Sequence, residues 1–296
     1  MIDPLARSGI VVVDKPQGLS SHDVVSRLRK ALGTKKVGHA GTLDPMATGV
    51  LVAGVERGTK FLAHMTAATK AYRATIRLGQ STTTDDAEGE ITAQVPAARL
   101  RDLNPALIHA ALAALTGDIM QRPSTFSAIK IDGQRAYARA RAGEKVEIPP
   151  RPVTVSRFDL LNRRGTDLDV EVHCSSGTYI RALARDLGEN LGVGGHLTML
   201  RRTEVGPFTL ADSVLLDALS ENPRLSLTLD EALRRCYPTV AVTADEAAAL
   251  AKGQWLEPRG LSGIHAAVDP EGRSIALIRE QGKRLSTIFV ARPSTL

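Results

Sequence analysis

The stretch that most constrains the fold is residues 36–51, KVGHAGTLDPMATGVL. Four glycines lie within or just after it, and glycine lets a backbone adopt positive φ or approach a ligand closely. The apolar run 50–53 predicts a short buried strand. Asp44, the only acid in the stretch, therefore lies on a glycine-bounded loop leading into a strand, a common position for a catalytic group. An ordinary turn is the alternative, because Asp favours turns and Pro45 pushes Asp44 toward extended geometry.

The basic charge of the chain indicates an acidic partner. Its 296 residues carry a net charge of +6 and a pI of about 9.5, a balance for which nucleic acid is the first candidate. Residues 120–165 contain ten Lys or Arg against four Asp or Glu, whereas residues from 237 onward contain seven against six. We therefore expect the basic face in the middle of the chain. A merely solvated surface is the alternative.

Length and composition predict a fully folded chain with one large and one small domain, or with two domains. No apolar run approaches the ~20 residues of a membrane span, and the N-terminus lacks a signal-peptide pattern. The cysteines Cys174 and Cys236 form neither a metal motif nor a disulfide framework. No phosphate-loop or dinucleotide motif is present. We expect no cofactor, no metal and a location in the reducing cytoplasm.

Periodicity and capping signals predict a mixture of strands and helices. Apolar residues alternate or run together in five strand candidates, which are 9–14, 70–79, 167–174, 274–279 and 285–291. Helices with N-terminal caps or apolar stripes are predicted after Ser20 or Ser21 and over 104–117, 179–191 and 243–253.

Residues 38–51 contain every fixed position of the pattern G-H-x-G-T-L-D-P-x-A-T-G-x-L. The stretch closely resembles the catalytic motif of the TruB family of tRNA pseudouridine synthases. A run of this length is far more specific than a short motif. The resemblance implies that Asp44 is the catalytic aspartate. It also implies that His39 lies in the RNA-binding cleft next to the target base.

Two further segments, one before and one after this stretch, resemble other motifs of that family. The segment KPQGLSS, residues 15–21, resembles its first motif, which we interpret as a tight turn packed beneath the catalytic loop. The segment KAYRATIRLG places Tyr72 where the family has a tyrosine that stacks on the flipped base. A plain core tyrosine is the alternative for Tyr72.

The segment SSGTYIRALARDLG, residues 175–188, resembles the third motif, and LTMLRRT resembles the motif that follows it. The resemblance implies that Tyr179 and Leu200 line the nucleotide pocket. It makes Arg181 the expected charge partner that keeps Asp44 ionised and oriented.

Residues 121–141 resemble the family's thumb, a mobile segment that grips the RNA stem-loop and that we place at about 120–150. The bases expected to contact RNA phosphates are Lys130, Arg135, Arg139 and Arg141. Ser124 stands where the family pattern has its second proline, and we expect this departure to loosen the loop. The acidic loop STTTDDAEGE matches the family only loosely and receives no predicted role.

The resemblance, which covers roughly residues 9–235, implies an α+β pseudouridine-synthase fold. We expect a mixed, largely antiparallel sheet flanked by helices. The catalytic domain is predicted over 1–235. A small β-rich, PUA-like RNA-binding domain is predicted over 236–296.

The predicted function is isomerisation of uridine to pseudouridine at position 55, in the T loop of tRNA. The expected partner is the T arm of tRNA, bound by a monomer that contacts no membrane, and the same surface is compatible with a further tRNA-folding role. One alternative is a non-catalytic RNA-binding or RNA-folding protein. The other is a different base-modifying or glycosyl-cleaving enzyme, but glycosidases use two carboxylates and only Asp44 has a motif around it.

Overall fold

The structure is a computed structural model that describes residues 5–65, 68–101, 103–125, 130–131, 134–135 and 148–295. The chain divides into two compact units. The first comprises residues 1–45, 49–66 and 205–296, and the second comprises residues 46–48 and 67–204. Each unit combines strands with helices, as predicted for an α+β fold.

The first unit is built around two antiparallel strands, Gly9–Lys15 and Thr48–Val55. Their valine-rich sequences form a solid apolar layer, because both strands are buried along almost their whole length. The strand predicted at 9–14 and the buried run predicted at 50–53 are thus confirmed. Shorter strands extend the pair, namely Val37–Ala40, Val214–Leu215 and Leu227–Thr228.

The helix Ser21–Ala31 begins with a capping box. The Ser20 hydroxyl accepts a hydrogen bond from the Asp23 amide, and the Asp23 carboxylate accepts one from the Ser20 amide. Val24, Val25 and Leu28 are buried, as their spacing predicts. The other helices of this unit are Gly58–Phe61, Leu216–Glu221, Leu229–Cys236 and Ala244–Ala251, with 3-10 turns at Leu62–His64 and Leu210–Asp212.

The end of the chain forms a four-stranded sheet within the first unit. Its order is Thr239–Ala241, Ile264–Val268, Ser274–Gln281 and Arg284–Val290, with the first pair parallel and the others antiparallel. The helix Ala244–Ala251, predicted at 243–253, covers this sheet through Leu250. The strands predicted at 274–279 and 285–291 are confirmed, and the other two were not predicted.

Aromatic side chains pack this terminal sheet against the helix that follows Thr48–Val55. The Phe61 ring lies 6.0 Å from that of Phe289 and 6.4 Å from that of Tyr237, measured between centroids. The Tyr237 hydroxyl donates a hydrogen bond of 2.6 Å to the His64 carbonyl. The last residues of the chain are therefore part of the same compact unit as the first ones.

The second unit contains a sheet in the strand order Gly195–Val205, Lys70–Leu78, Asp167–Cys174, Arg151–Arg164 and Gly117–Gln121. The last three pairings are antiparallel. Strict alternation correctly predicts the buried face of Asp167–Cys174, where Leu168, Val170, Val172 and Cys174 all point inward. Together with the strands of the first unit, these pairings confirm a mixed, largely antiparallel β-structure.

In the described part of the second unit, the helices are Ala97–Arg101, Pro105–Ala114 and Ile180–Asn190. Asn104 caps the second of these, as predicted. That helix ends at Ala114 rather than at Gly117, because Gly117 adopts a φ of +97° and opens the strand Gly117–Gln121. Two-strand sheets are formed by Gln80–Thr82 with Ile91–Gln94 and by Lys130–Ile131 with Gln134–Arg135.

Candidate functional site

The loop that carries Asp44 rests on the turn that follows the first strand. Lys15, whose side chain is fully buried, donates hydrogen bonds to the carbonyls of Pro16, Leu19 and Pro45 at 3.0, 2.6 and 3.3 Å. The Gly18 amide donates a further bond of 2.8 Å to the Pro45 carbonyl. The interpretation of this turn as a support beneath the Asp44 loop is confirmed.

A second interaction fixes the residue on the other side of Asp44. The buried Ser21 hydroxyl accepts a hydrogen bond of 2.8 Å from the Leu43 amide and donates one of 3.1 Å to the Leu43 carbonyl. Both neighbours of Asp44 are therefore anchored through their backbones, while Asp44 itself is half-buried. An acid held this way keeps its position without being removed from solvent.

Glycine is required at the two bends of this loop. Gly41 has a φ of +82° and Gly49 a φ of +101°, which are values that residues with a Cβ rarely adopt. His39 precedes the loop on the strand Val37–Ala40, where it is half-buried and lies opposite Ala53. His39 and Asp44 therefore belong to the same strand-and-loop segment of the first unit.

Tyr72 lies in the second unit on the strand Lys70–Leu78, opposite Val172. Its side chain is 6% exposed. Lys70, at the start of the strand, contacts the Ser176 hydroxyl at 3.2 Å. Burial, together with the nearby charge of Arg202, lowers the pKa of the Lys70 ammonium below its ordinary value.

Tyr179 is the N-cap residue of the helix Ile180–Asn190 and is half-buried. The fully buried Gln121 side chain holds its backbone by two hydrogen bonds. Gln121 Oε1 accepts from the Tyr179 amide at 2.8 Å, and Gln121 Nε2 donates to the Tyr179 carbonyl at 3.0 Å. The Arg151 guanidinium lies 5.0 Å from the centre of the Tyr179 ring, within the range of a cation–π contact.

Arg181 lies on the first turn of this helix and is 5% exposed. Its Nη1 lies 3.4 Å from Asp86 Oδ2 and donates a hydrogen bond of 3.0 Å to the Thr84 carbonyl. Asp86 is equally buried, and its carboxylate also accepts from the Glu88 amide. A buried arginine with a carboxylate and a carbonyl on one side of its planar head has a fixed orientation.

Asp85 forms a second ion pair, with Arg185, which lies one helical turn after Arg181. Its Oδ2 lies 3.1 Å from Arg185 Nη1 and accepts a hydrogen bond of 2.6 Å from the Ser124 hydroxyl. The expectation that Ser124 loosens its loop was wrong, because Ser124 is fully buried and its hydroxyl is bonded. The roles of Asp85 and Asp86 were also missed, although two consecutive acids in a polar loop offered a signal.

The structure describes only some of the remaining predicted site residues. Leu200 lies on the strand Gly195–Val205 and is buried. Lys130 and Arg135 lie on the small strands Lys130–Ile131 and Gln134–Arg135, whose backbones alone are described. Arg139 and Arg141 lie outside the described residues, as does most of the predicted thumb.

The structure thus groups the predicted residues into two sets, one in each unit. His39 and Asp44 form the first set, and the second contains Tyr72, Tyr179, Arg181 and Leu200. The pairing of Asp44 with Arg181 stays a prediction. Within the described ranges, no cluster of three or more His, Cys, Asp or Glu side chains could hold a metal ion. No described helix combines the length and the apolar character that crossing a membrane requires.

Three protein-family models match the chain between residues 29 and 292. A model described as TruB family pseudouridylate synthase (N terminal domain) matches residues 29–180. A tRNA pseudouridylate synthase B C-terminal domain model matches 181–237, and a tRNA pseudouridine synthase II C-terminal model matches 237–292.

Similar proteins of known name span the same length. The tRNA pseudouridine synthase B of Corynebacterium aurimucosum is 70% identical over 300 residues, covering 100% of both chains. That of Nocardia farcinica is 62% identical over 299 residues, covering 100% of this chain and 96% of its own. A crystal structure of a Cbf5-Nop10-Gar1 complex contains a chain with a TM-score of 0.74 and 24% identity, covering 98% of this chain and 87% of that one, which supports the fold alone.

The family-model match over residues 29–180, which includes the motif-bearing Asp44 loop, defines a pseudouridylate synthase. More narrowly, the chain belongs to the TruB family, and it isomerises uridine to pseudouridine in tRNA.

Proposed function

We propose that Asp44 is the catalytic carboxylate and that the target is the uridine at position 55, in the T loop of tRNA. The observation that carries this proposal is the anchoring of Leu43 and Pro45 on either side of Asp44. Catalysis requires a carboxylate whose position is set before the substrate arrives. Asp44 combines such a position with partial exposure, which leaves it accessible to a nucleotide.

The chemistry makes modest demands on the protein. The bond between uracil N1 and the ribose C1′ breaks, and a bond between uracil C5 and C1′ forms. The proton on C5 leaves and N1 gains one, so no oxidant, reductant or energy source is consumed. One carboxylate at the sugar–base junction, in a site that excludes water, is sufficient.

The target base must leave its stack, which costs a few kcal/mol. In our proposal Tyr72 stacks on the flipped base and offsets part of that cost. Tyr179 and Leu200 line the pocket, and His39 lies beside the base. The side chains of Tyr72, Tyr179 and Leu200 come from three elements of the second unit, each with a backbone held by the sheet or by Gln121.

Arg181 is proposed to keep Asp44 ionised and oriented when the substrate is bound. Its interactions with Asp86 and Thr84 support this role, because they fix the direction of the guanidinium. Lys130, Arg135, Arg139 and Arg141 are proposed to contact RNA phosphates. We further propose that the protein acts as a cytoplasmic monomer on the T arm, with residues 236–296 as an accessory RNA-binding domain and with a tRNA-folding role on the same surface.

Release of tritium from 5-tritiated uridine in unmodified tRNA tests the function directly. We expect release from intact tRNA and, at a similar rate, from an isolated T-arm hairpin, whose loop base is easier to extrude than a duplex base. A tRNA with position 55 replaced by cytidine is the matched control and should release no tritium. Conversion of tRNA without conversion of the hairpin would mean that recognition extends beyond the T arm.

A non-catalytic RNA-binding protein would bind the same RNAs without releasing tritium. A glycosyl-cleaving enzyme would release free uracil. Chromatography of the digested product separates these outcomes from pseudouridine.

A further inference from the structure

Three side chains connect the segment Gln121–Ser124 to the helix Ile180–Asn190 and to Asp85. Gln121 makes two hydrogen bonds to the Tyr179 backbone. Arg185 Nη2 donates a bond of 2.7 Å to the Arg122 carbonyl. Ser124 and Arg185 both donate to the same oxygen of Asp85, at 2.6 and 3.1 Å.

The two hydrogen bonds of Gln121 fix the backbone orientation of Tyr179. Tyr179 makes no side-chain cap of its own helix, so its backbone orientation depends on other groups. Gln121 supplies both a donor and an acceptor to this single residue, from a fully buried position. A change at Gln121 therefore acts on the direction in which the Tyr179 ring leaves the backbone, and on Arg181 two residues later.

The interaction made by Arg185 acts on the same face of the helix. Arg185 lies four residues after Arg181, so the two side chains are neighbours on the helix surface. They pair with consecutive acids, Arg181 with Asp86 and Arg185 with Asp85. Asp85 adopts a φ of +60°, a conformation that is unusual for a residue other than glycine and that needs support from its surroundings. Ser124 and Arg185 provide part of that support, because both donate to the Asp85 carboxylate.

We propose that Gln121, Ser124 and Arg185 are positioning residues, which together form a latch that sets Tyr179 and Arg181 in the geometry needed for isomerisation. The proposal rests on the proposed roles of those two residues in the site. In this proposal, Ser124 takes over the structural role of the proline that the family pattern has at this position. A buried hydroxyl bonded to Asp85 fixes the segment in place of a ring that restricts φ.

Gln121→Met is the decisive variant, because it keeps the size of the side chain and removes both hydrogen bonds. We expect the single-turnover rate on saturating tRNA to fall by roughly tenfold to a hundredfold, because small displacements of reacting groups have costs of that order. The tRNA dissociation constant should stay within about threefold. Ser124→Ala should lower the same rate less, because it removes one of the two hydrogen bonds to Asp85.

Thr75→Val is the matched control. Thr75 is also buried in the second unit and donates a 2.8 Å bond to Asp169, but this bond involves neither Tyr179 nor Arg181. Its removal should lower the melting temperature and leave the turnover of the folded protein unchanged. If Gln121→Met behaves like this control, or loses only tRNA affinity, the latch has no positioning role.

Two further measurements keep the outcome unambiguous. Should Gln121→Met fail to fold, an unchanged rate in Ser124→Ala would overturn the proposal on its own. The pair Ser124→Ala and Asp85→Ala should be non-additive in rate, because each variant removes the Ser124–Asp85 hydrogen bond, and Asp85→Ala alone also removes the ion pair with Arg185. Failure of the catalytic assignment itself would show up separately, as turnover by an Asp44→Asn variant whose Gln121 is intact.

Discussion

The buried ammonium of Lys15 lies 3.3 Å from the carbonyl oxygen of Pro45, thirty residues further along the chain. The same ammonium donates to the carbonyls of Pro16 and Leu19. A cation in this position joins the turn after the first strand to the loop of Asp44. The position of the carboxylate therefore depends on a residue that lies beneath the loop rather than on its exposed side.

Lys15→Met should destabilise the protein by roughly 1–3 kcal/mol, because the carbonyls of Pro16 and Leu19 lose a donor, whereas the Pro45 carbonyl keeps the hydrogen bond from the Gly18 amide. Urea unfolding measures the change. Lys60→Met, which removes an exposed lysine of the same unit, is the control and should change stability by less than about 0.5 kcal/mol. Equal stability of the two variants would contradict the supporting role of Lys15.

Asp44→Asn should abolish tritium release while leaving tRNA affinity within about tenfold, because shape is kept and only the carboxylate is removed. The control is Asp217→Asn, which neutralises an acid whose side chain is 91% exposed. That variant should retain full activity. Turnover by pure Asp44→Asn protein would remove Asp44 from the mechanism.

Arg181→Lys should lower the single-turnover rate far more than it weakens tRNA binding, because a point charge cannot replace a planar head held by Asp86 and Thr84. Arg73→Lys makes the same change at a side chain that is 64% exposed and should be silent. A reduction confined to affinity would instead identify Arg181 as a phosphate-binding residue.

Charge reversal at Lys130 or Arg139 should weaken tRNA binding and reduce the slope of log affinity against log salt, by about one counterion for each phosphate interaction removed. Lys283→Glu makes a similar charge reversal in the nearly neutral terminal segment and is the control. We expect a smaller effect there. Identical slopes for all three variants and the wild type would place the basic middle segment in solvent.

Asp167 should contribute a pH-dependent part of the stability of the second unit. Hydrogen bonds from Arg77 hold the pKa of Asp167 below its ordinary value of 3.8. A lowered pKa stabilises the fold above the unfolded-state pKa, and this contribution disappears as the pH falls through the folded-state value. Asp167→Asn should therefore cost about 0.5–1 kcal/mol at pH 7, given that Arg77 is half exposed, and almost nothing once the pH has fallen below the folded-state pKa of Asp167. A constant difference in unfolding free energy across that range would exclude the ion pair as its cause.

Local sequence patterns predicted the elements with strong periodicity. The alternation of Asp167–Cys174 and the capped helix Pro105–Ala114 could be identified because burial repeats at fixed spacing. The strands Thr239–Ala241 and Ile264–Val268 were not predicted, because they are short and their sequences, TVA and IHAAV, lack alternation of polar and apolar residues.

The candidate site was predicted through motifs. Of its supports, only the turn at residues 15–21 was predicted, and the burial of Lys15 within that turn was not. Arg181 and Asp86 are separated by 95 positions, so nothing local in the loop 83–90 indicates which cation its acids will meet. Lys15 resembles an ordinary solvent-exposed lysine at the end of a strand, and its burial follows only from the way the chain folds back on it. Ser124 was expected to loosen its loop, because its partner, Asp85, is distant in sequence and could not be identified.

The pairing of the first strand with residues near the other end of the chain has a consequence during translation. Gly9 lies opposite Thr228, and the Val12 amide donates to the Ser226 hydroxyl. A nascent chain emerging from the ribosome must therefore carry its earliest hydrophobic strand with an unpaired edge until most of the protein has been made. The second unit, which is nearly continuous in sequence, can assemble before that edge is closed. Ribosome stalling within the final third of the message should thus release a species prone to aggregation, with one unit formed and the other open.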